Sequence, residues 1–193
     1  MKYDVILAGV GGQGVLSVAT IIARAALSEG FEVRQSEVHG MAQRGGQVLA
    51  HMRISDKKIA GDLVPRGGAD MIIAMEPLEG LRYVSYLKPD GILVTAAESF
   101  VNMPNYPDIN EVHSSIKNLP KWRIIQTAAL AKEAGLSKAA NTVMIGAASC
   151  FLPLESASLE KTIAGAFAKK DPLGANTKAF KLGEQACKQT KAK

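Results

Sequence analysis

The chain has 193 residues, 47% hydrophobic and 21% charged, a balance that excludes a disordered or fibrous protein. Val15–Leu27 is interrupted by Arg24, and Val143–Leu152 falls far short of the roughly 20 apolar residues of a membrane span, so no membrane association is expected, and the N-terminus has no signal-peptide succession. The net charge of +5 is confined to the C-terminal end, since residues 1–159 hold 15 basic and 15 acidic side chains, and a lysine face without interleaved aromatic platforms argues against nucleic-acid binding. The expectation is one domain spanning residues 1–193, in the cytoplasm.

The predicted elements begin with an apolar strand, Val5-Ile6-Leu7-Ala8. It runs into Gly9-Val10-Gly11-Gly12-Gln13-Gly14 and then an alanine-rich helical pattern from Val15, the order of a phosphate-binding strand, turn and helix. In this G-x-G-x-x-G spacing Gly9 would permit the tight turn, Gly11 a close backbone approach to a ligand and Gly14 close packing of the helix, with Gly12 and Gln13 completing the loop. A pyrophosphate above the helix would meet unpaired N–H groups and the positive end of the helix dipole. Close packing alone also calls for such glycines, so the motif leaves the ligand open.

Val15, Val18, Ile21, Ile22 and Ala25 recur at helical spacing, and Gly30 ends that helix. Phe31–Ser36 is then a second strand, completing a βαβ unit with the usual right-handed crossover. A dinucleotide enzyme places an acidic ribose ligand at the end of such a strand. Glu37 is the one carboxylate available, and it falls at the start of the following loop.

That loop, Glu37-Val38-His39-Gly40-Met41-Ala42-Gln43-Arg44-Gly45-Gly46, combines three glycines with a carboxylate, a histidine and an arginine. Arg44 offers a fork for a carboxylate or phosphate, and Gly45 and Gly46 can take conformations closed to other residues. Glu37, His39 and Met41 join them as ligand or interface candidates. A tight connection with Arg44 in solvent is the plainer alternative.

Val48, Ala50, Met52 and Ile54 alternate with Leu49, His51, Arg53 and Ser55, as in a strand with one face partly wet. The connection before it contains no helix, which points to antiparallel pairing or an edge position, and His51 falls on the polar face as a surface histidine. Met71–Met75 is a buried parallel strand. Glu76-Pro77 follows, placing Glu76 at the N-cap of a helix through Leu87 and at the strand edge where open α/β sheets bind ligands.

Gly91–Ala96 is another strand, and a proline-broken irregular stretch follows, in which His113 has no partner at a recognisable spacing. Arg123–Gln126 is the last strand, and Thr127 caps a helix closed by Gly135. From Asn141 the chain is helical: one helix to Leu152, one over 158–169, and one from Asn176. Cys150, in the first of these, is expected to be inert core, and with Cys187 it is too little for a disulfide framework or a cysteine-ligated cluster. The fold class is α/β: a Rossmann-like open, mostly parallel sheet with flanking helices, an antiparallel or edge strand, and C-terminal helices.

There is no serine elbow, no His-x-x-x-His and no Walker lysine, valine following the glycine loop instead. Two glycine-rich loops without a catalytic group suggest a chain that assists chemistry done by another.

Gly9-x-Gly11-Gly12-Gln13-Gly14, Gly40-Met41-Ala42-Gln43-Arg44-Gly45-Gly46, Val48–Ser55, the strand from Ala69-Asp70 ending at Glu76, Asn141 before an apolar helix, and Asn176-x-x-Ala179-Phe180-x-x-Gly183 together resemble the gamma-type domain of 2-oxoacid:ferredoxin oxidoreductases. The similarity covers nearly the whole chain, and the Glu37–Gly46 segment looks most like the small (beta) subunit of the indolepyruvate type, with the ketoisovalerate and 2-oxoglutarate types as neighbours. It implies oxidative decarboxylation of a 2-oxo acid to an acyl-CoA with electrons passed to ferredoxin. Thiamine diphosphate, Mg and [4Fe-4S] clusters would be held by partner subunits, and this chain would pack against them, with coenzyme A possible at Gly9–Gly14 and Arg44. The family's Gly-Asp-Gly thiamine signature is absent here, Gly61-Asp62 being its nearest approach. Two other functions remain compatible with the glycine fingerprint: a stand-alone NAD(P)-binding oxidoreductase, and a non-enzymatic nucleotide- or ligand-binding protein.

Overall fold

Val5 and Leu7 face one side of the first strand and Ile6 and Ala8 the other, all four buried, so that strand is covered on both faces. A computed structural model describes residues 1–39, 44–168, 171 and 174–189. Its six strands are β1 (Lys2–Val10), β2 (Glu32–His39), β3 (Gln47–Ser55), β4 (Ala69–Ala74), β5 (Leu87–Ala96) and β6 (Trp122–Ile125), in the sheet order β2-β3-β1-β4-β5-β6. The helices are α1 (Val15–Ser28), α2 (Pro77–Arg82), α3 (Ile109–Lys117), α4 (Thr127–Glu133), α5 (Ala140–Ser149), α6 (Ser156–Phe167) and α7 (Ala175–Gln189).

The β1, β4, β5 and β6 strands pair in parallel, while β3 is antiparallel to both β1 and β2. Antiparallel pairing was one of the two positions expected for β3; the edge belongs to β2 instead. The expected β1-α1-β2 unit is therefore split: β1 and β2 point the same way but β3 lies between them. β2 also extends to His39, so Glu37 is inside the strand opposite Ala50 rather than in the loop.

Two apolar layers sandwich the sheet. One buries Val5, Leu7, Met52 and Ile73 under α1, α5, α6 and α7; the other buries Ile6, Ala8, Ile72 and Leu93 under α2 and α3. His51 is buried on the second side and not on the surface as expected, because residues 59–64 fold over β3 there. Its Nδ1 accepts the N–H of Val64 at 3.2 Å, and its ring meets Tyr86 edge-on at 5.5 Å.

Other boundaries moved for local reasons. The helix expected to run through Leu87 stops at Arg82, and a 3₁₀ turn at Val84–Tyr86 leads into β5, which starts four residues earlier than Gly91. The proline-broken stretch contains α3, whose start is fixed by the Asp108 side chain accepting from Asn110 N at 2.8 Å. Thr127 is the first residue of α4 and not its cap; its hydroxyl donates to Glu98 at 2.8 Å, and the other Glu98 oxygen accepts Ala128 N at 2.8 Å. Gly30 and Gly135, both at positive φ, end α1 and α4 as expected.

Candidate functional site

The chain leaving β1 returns on the β2 side and the chain leaving β4 returns on the β5 side, so the order reverses between β1 and β4. A crevice at the carboxyl ends of two such strands is the usual ligand position of an open α/β sheet. The glycine loop sits there. Gly9 is in β1, and a Cβ on it would lie 2.7 Å from Val15 Cγ2 and 3.1 Å from Met75 Cβ, so its role is close packing of strand, helix and neighbouring strand end. The turn itself is made by Gly12 and Gly14, at φ 101° and 80°.

Gln13 staples the crevice. Its Oε1 accepts Val10 N at 2.8 Å and its Nε2 donates to Met75 O at 3.2 Å, tying the end of β1 to the end of β4. Gly11 is buried, and its backbone pairs with the second glycine loop: Gly11 N donates to Gly46 O at 2.7 Å and Gly45 N to Gly11 O at 3.1 Å. The N–H of Gly11 is thus turned to protein, unlike the free, ligand-facing backbone suggested by the motif.

The N–H groups of Gly12, Gly14, Val15 and Leu16 carry no hydrogen-bond partner among the described residues, and the first turn of α1 contains no acidic side chain. This end of the helix therefore suits an anion electrostatically. Arg44 is exposed with no ion pair or hydrogen bond among the described residues, on the turn that Gly45 and Gly46 fasten to Gly11. Asn102, which no sequence pattern singled out, holds the same turn by donating to Gly45 O at 2.8 Å.

Glu76 caps α2, accepting Glu79 N at 2.8 Å through one oxygen and the Tyr106 hydroxyl through the other, and it is buried. Burial, reinforced by the hydrogen bond to Glu76, pushes the Tyr106 phenol above its ordinary range, so it remains a neutral donor. The Glu79 carboxyl is also raised, chiefly by burial, with Arg82 at 3.1 Å opposing. Both Glu76 oxygens being engaged, its place is architectural.

Asn141, at the start of α5, reaches the glycine loop: its Nδ2 lies 3.5 Å from Gly14 O and would be 2.3 Å from a Cβ on Gly14. Asn176 is not part of this crevice. It is buried at the start of α7, accepts the Thr142 hydroxyl at 2.8 Å and is held by Asp171 through its side-chain amide at 3.0 Å. Glu37 is exposed on edge strand β2. The His39 backbone is level with Gly9 across the sheet, each opposite Val48, about 10 Å apart at the usual spacing of two strands. The side chain of His39, and Met41 entirely, lie outside the described residues. Val38, on β2, and Phe100 and Val101, just before Asn102, are exposed apolar side chains.

A cavity of about 560 Å³ opens at the opposite, amino edge of the sheet between Tyr3, Asp70, Trp122, Arg123 and Phe151, and none of the sequence-derived site residues lines it. No described helix is long and apolar enough to cross a membrane.

Residues 4–186 match the pyruvate ferredoxin/flavodoxin oxidoreductase family. The chain belongs to that family. The IorB subunit of indolepyruvate oxidoreductase from Thermococcus kodakarensis is 36% identical over 198 residues, covering 97% of each chain, and that of Archaeoglobus fulgidus is 34% identical, covering 95% of this chain and 94% of its own. The KorC subunit of 2-oxoglutarate synthase from Methanothermobacter marburgensis is 30% identical over 76% of each. Among solved structures, the gamma subunit of a keto/oxoacid ferredoxin oxidoreductase from Geobacter sulfurreducens superposes with a TM-score of 0.69 at 24% identity, covering 96% of this chain and 98% of its own. The 2-oxoglutarate:ferredoxin oxidoreductase of Magnetococcus marinus, with 2-oxoglutarate, coenzyme A and succinyl-CoA bound, gives 0.75 at 22% identity, covering all of this chain and 32% of its own. These last two likenesses concern the fold: an oxidoreductase gamma-subunit fold, with its mostly parallel sheet.

Proposed function

We propose that this chain is the gamma-type subunit, acting as one domain over residues 1–193, of an indolepyruvate-type 2-oxoacid:ferredoxin oxidoreductase. In the assembled enzyme a 2-oxo acid is oxidatively decarboxylated to an acyl-CoA and the electrons pass to ferredoxin. The carrying observation is the near-complete match to IorB subunits at 36% identity. The crevice agrees in kind: among the described residues Gln13 and Asn102 brace its loops and Glu76 caps α2, and none of these three is set out as a nucleophile or general base. Thiamine diphosphate, Mg and the [4Fe-4S] clusters are then assigned to the partner subunit, and two cysteines in the chain are too few for a four-cysteine cluster.

Coenzyme A fits the groups present. The N–H groups of Gly12, Gly14 and Leu16 and the Arg44 side chain, without partners among the described residues, offer donors and positive charge to its phosphates, and the exposed Val38, Phe100 and Val101 supply apolar area for the partner subunit. A nicotinamide enzyme is less well served: β2 is not adjacent to β1, and Glu37, the sole ribose acid on offer, is on the far side of β3.

Reconstitution with a thiamine- and iron-sulfur-containing partner subunit of an indolepyruvate oxidoreductase tests this reading. Indolepyruvate-dependent reduction of ferredoxin with acyl-CoA formation is expected only when both chains are present. Nicotinamide cofactor binding by the isolated chain in calorimetry, or effector binding by a homo-oligomer with no catalytic partner, would replace it.

A further inference from the structure

The first C-terminal helix, α5, and the last, α7, touch through their backbones. A Cβ on Gly146 would stand 2.0 Å from Phe180 O, and one on Gly183 2.0 Å from Val143 O. Contacts follow the same order along both helices, from Thr142 with Asn176, through Gly146 with Phe180, to Cys150 with Glu184, so the two run in the same direction. Cys150 comes four residues after Gly146 and Cys187 four after Gly183. Four residues returns a helix to the same face, so both sulfurs project into the seam that the glycines close.

Cys150 donates to Glu184 O at 3.7 Å, one turn before Cys187 on α7, which sets the two sulfurs side by side in the seam. Hydrogen bonding with the Cys187 thiol, with help from the nearby Lys188 and Arg123 cations, holds the Cys150 thiol below its ordinary range, whereas the Cys150 sulfur and burial raise Cys187. Accessibility divides them in the same sense: Cys150 is half-buried and Cys187 is 2% exposed. The expectation of an inert Cys150 came from its apolar helix, without sight of a second thiol from a segment 37 residues further on.

We propose that Cys150 and Cys187 form an oxidisable dithiol that closes, with a peroxide as oxidant, to an intramolecular disulfide tying the end of α5 to α7. The Cys150 thiolate attacks one peroxide oxygen, the O–O bond breaks, and hydroxide leaves and takes up a proton as water, giving a sulfenic acid. The Cys187 sulfur then gives up its proton and attacks Cys150 Sγ, the S–O bond breaks, and the hydroxide leaves with that proton as a second water. Two thiols and one peroxide become one disulfide and two waters. The accessible thiol is oxidised first and the buried one resolves.

The test is peroxide treatment of the purified full chain, alkylation of residual thiols after unfolding, and intact-mass and peptide analysis. Expected are a loss of two hydrogens, no alkylation of either cysteine, and a Cys150–Cys187 cross-linked peptide that dithiothreitol reverses. In Cys187→Ser, a sulfenic acid on Cys150 should persist and be trapped by dimedone. Oxidation of Cys150 to sulfinic acid in the wild type while Cys187 remains alkylatable, or disulfides only between chains, would overturn the proposal. Should the serine variant fail to fold, the wild-type peptide map decides alone.

Discussion

Gly11 and Gly46 are joined backbone to backbone: the Gly11 N–H reaches Gly46 O at 2.7 Å, and the return bond from Gly45 N to Gly11 O is 3.1 Å. The glycine turn after β1 and the turn before β3 are therefore one body, and whatever rests on one is presented with the other. This is a consequence of β3 lying beside β1, which brings Gln47 opposite Val10 and feeds the second turn back onto the first.

Arg44 rides on that joined turn without a partner among the described residues, so removing its charge should leave the fold intact. Arg44→Ala is expected to change unfolding free energy by no more than about 0.5 kcal/mol while raising the KM for coenzyme A of the reconstituted enzyme about tenfold, or weakening subunit assembly, a loss of about 1.4 kcal/mol for one charge-assisted contact. Unchanged acyl-CoA kinetics and unchanged assembly would remove Arg44 from the site.

Gln13 behaves differently because its contacts are internal. Gln13→Ala leaves Val10 N and Met75 O without their side-chain partner, next to the N-terminus of α1. A destabilisation of about 1–3 kcal/mol is expected from the unmet groups, visible in urea unfolding of the chain alone. A ligand-only role for Gln13 would instead leave unfolding unchanged.

Much of this site was legible, and for a clear reason. The order of strand, glycine turn and helix is local, and Glu76-Pro77 marks a strand end and a helix cap by adjacent residues alone. What escaped was set by chain segments far apart. β3 between β1 and β2 depends on pairing Val5 with Met52 across 47 residues. The buried face of His51 depends on the cover supplied by residues 59–64. Asn102 and Tyr106 hold Gly45 and Glu76 from an irregular stretch with no periodicity to announce them.

Gly183, part of the sequence resemblance, has its physical reason in α5. A methyl group there would stand 2.0 Å from Val143 O and 3.1 Å from Ala147 N, both backbone atoms that cannot rotate aside. Gly183→Ala should cost about 1–3 kcal/mol or more by forcing α5 and α7 apart, despite the better helix propensity of alanine. Gly165, on α6, has nothing within 4 Å of its added Cβ and serves as the control. Gly165→Ala is expected to be neutral or slightly stabilising in the same thermal melts, and equal effects at the two positions would contradict the close crossing.

His51 gives the chain a pH dependence in a window that its burial defines. Burial lowers its pKa from the ordinary 6.5, so the folded state prefers the neutral ring that accepts the Val64 N–H. The unfolded chain takes up a proton at 6.5 while the folded chain resists until lower pH. The contribution of His51 is therefore complete above 6.5 and declines on acidification toward its folded pKa, with a slope of at most about 1.4 kcal/mol per pH unit. Glu79 acts with the opposite sign: its raised pKa makes the folded state bind its proton first, so the difference between wild type and a His51 variant is the quantity to read. His51→Gln keeps an acceptor for Val64 and abolishes the titration. Urea unfolding at about pH 7.5 and about pH 5.5 should show the wild type losing more stability on acidification than the variant; parallel losses would mean that the ring is protonated in the fold and that the Val64 contact is not made.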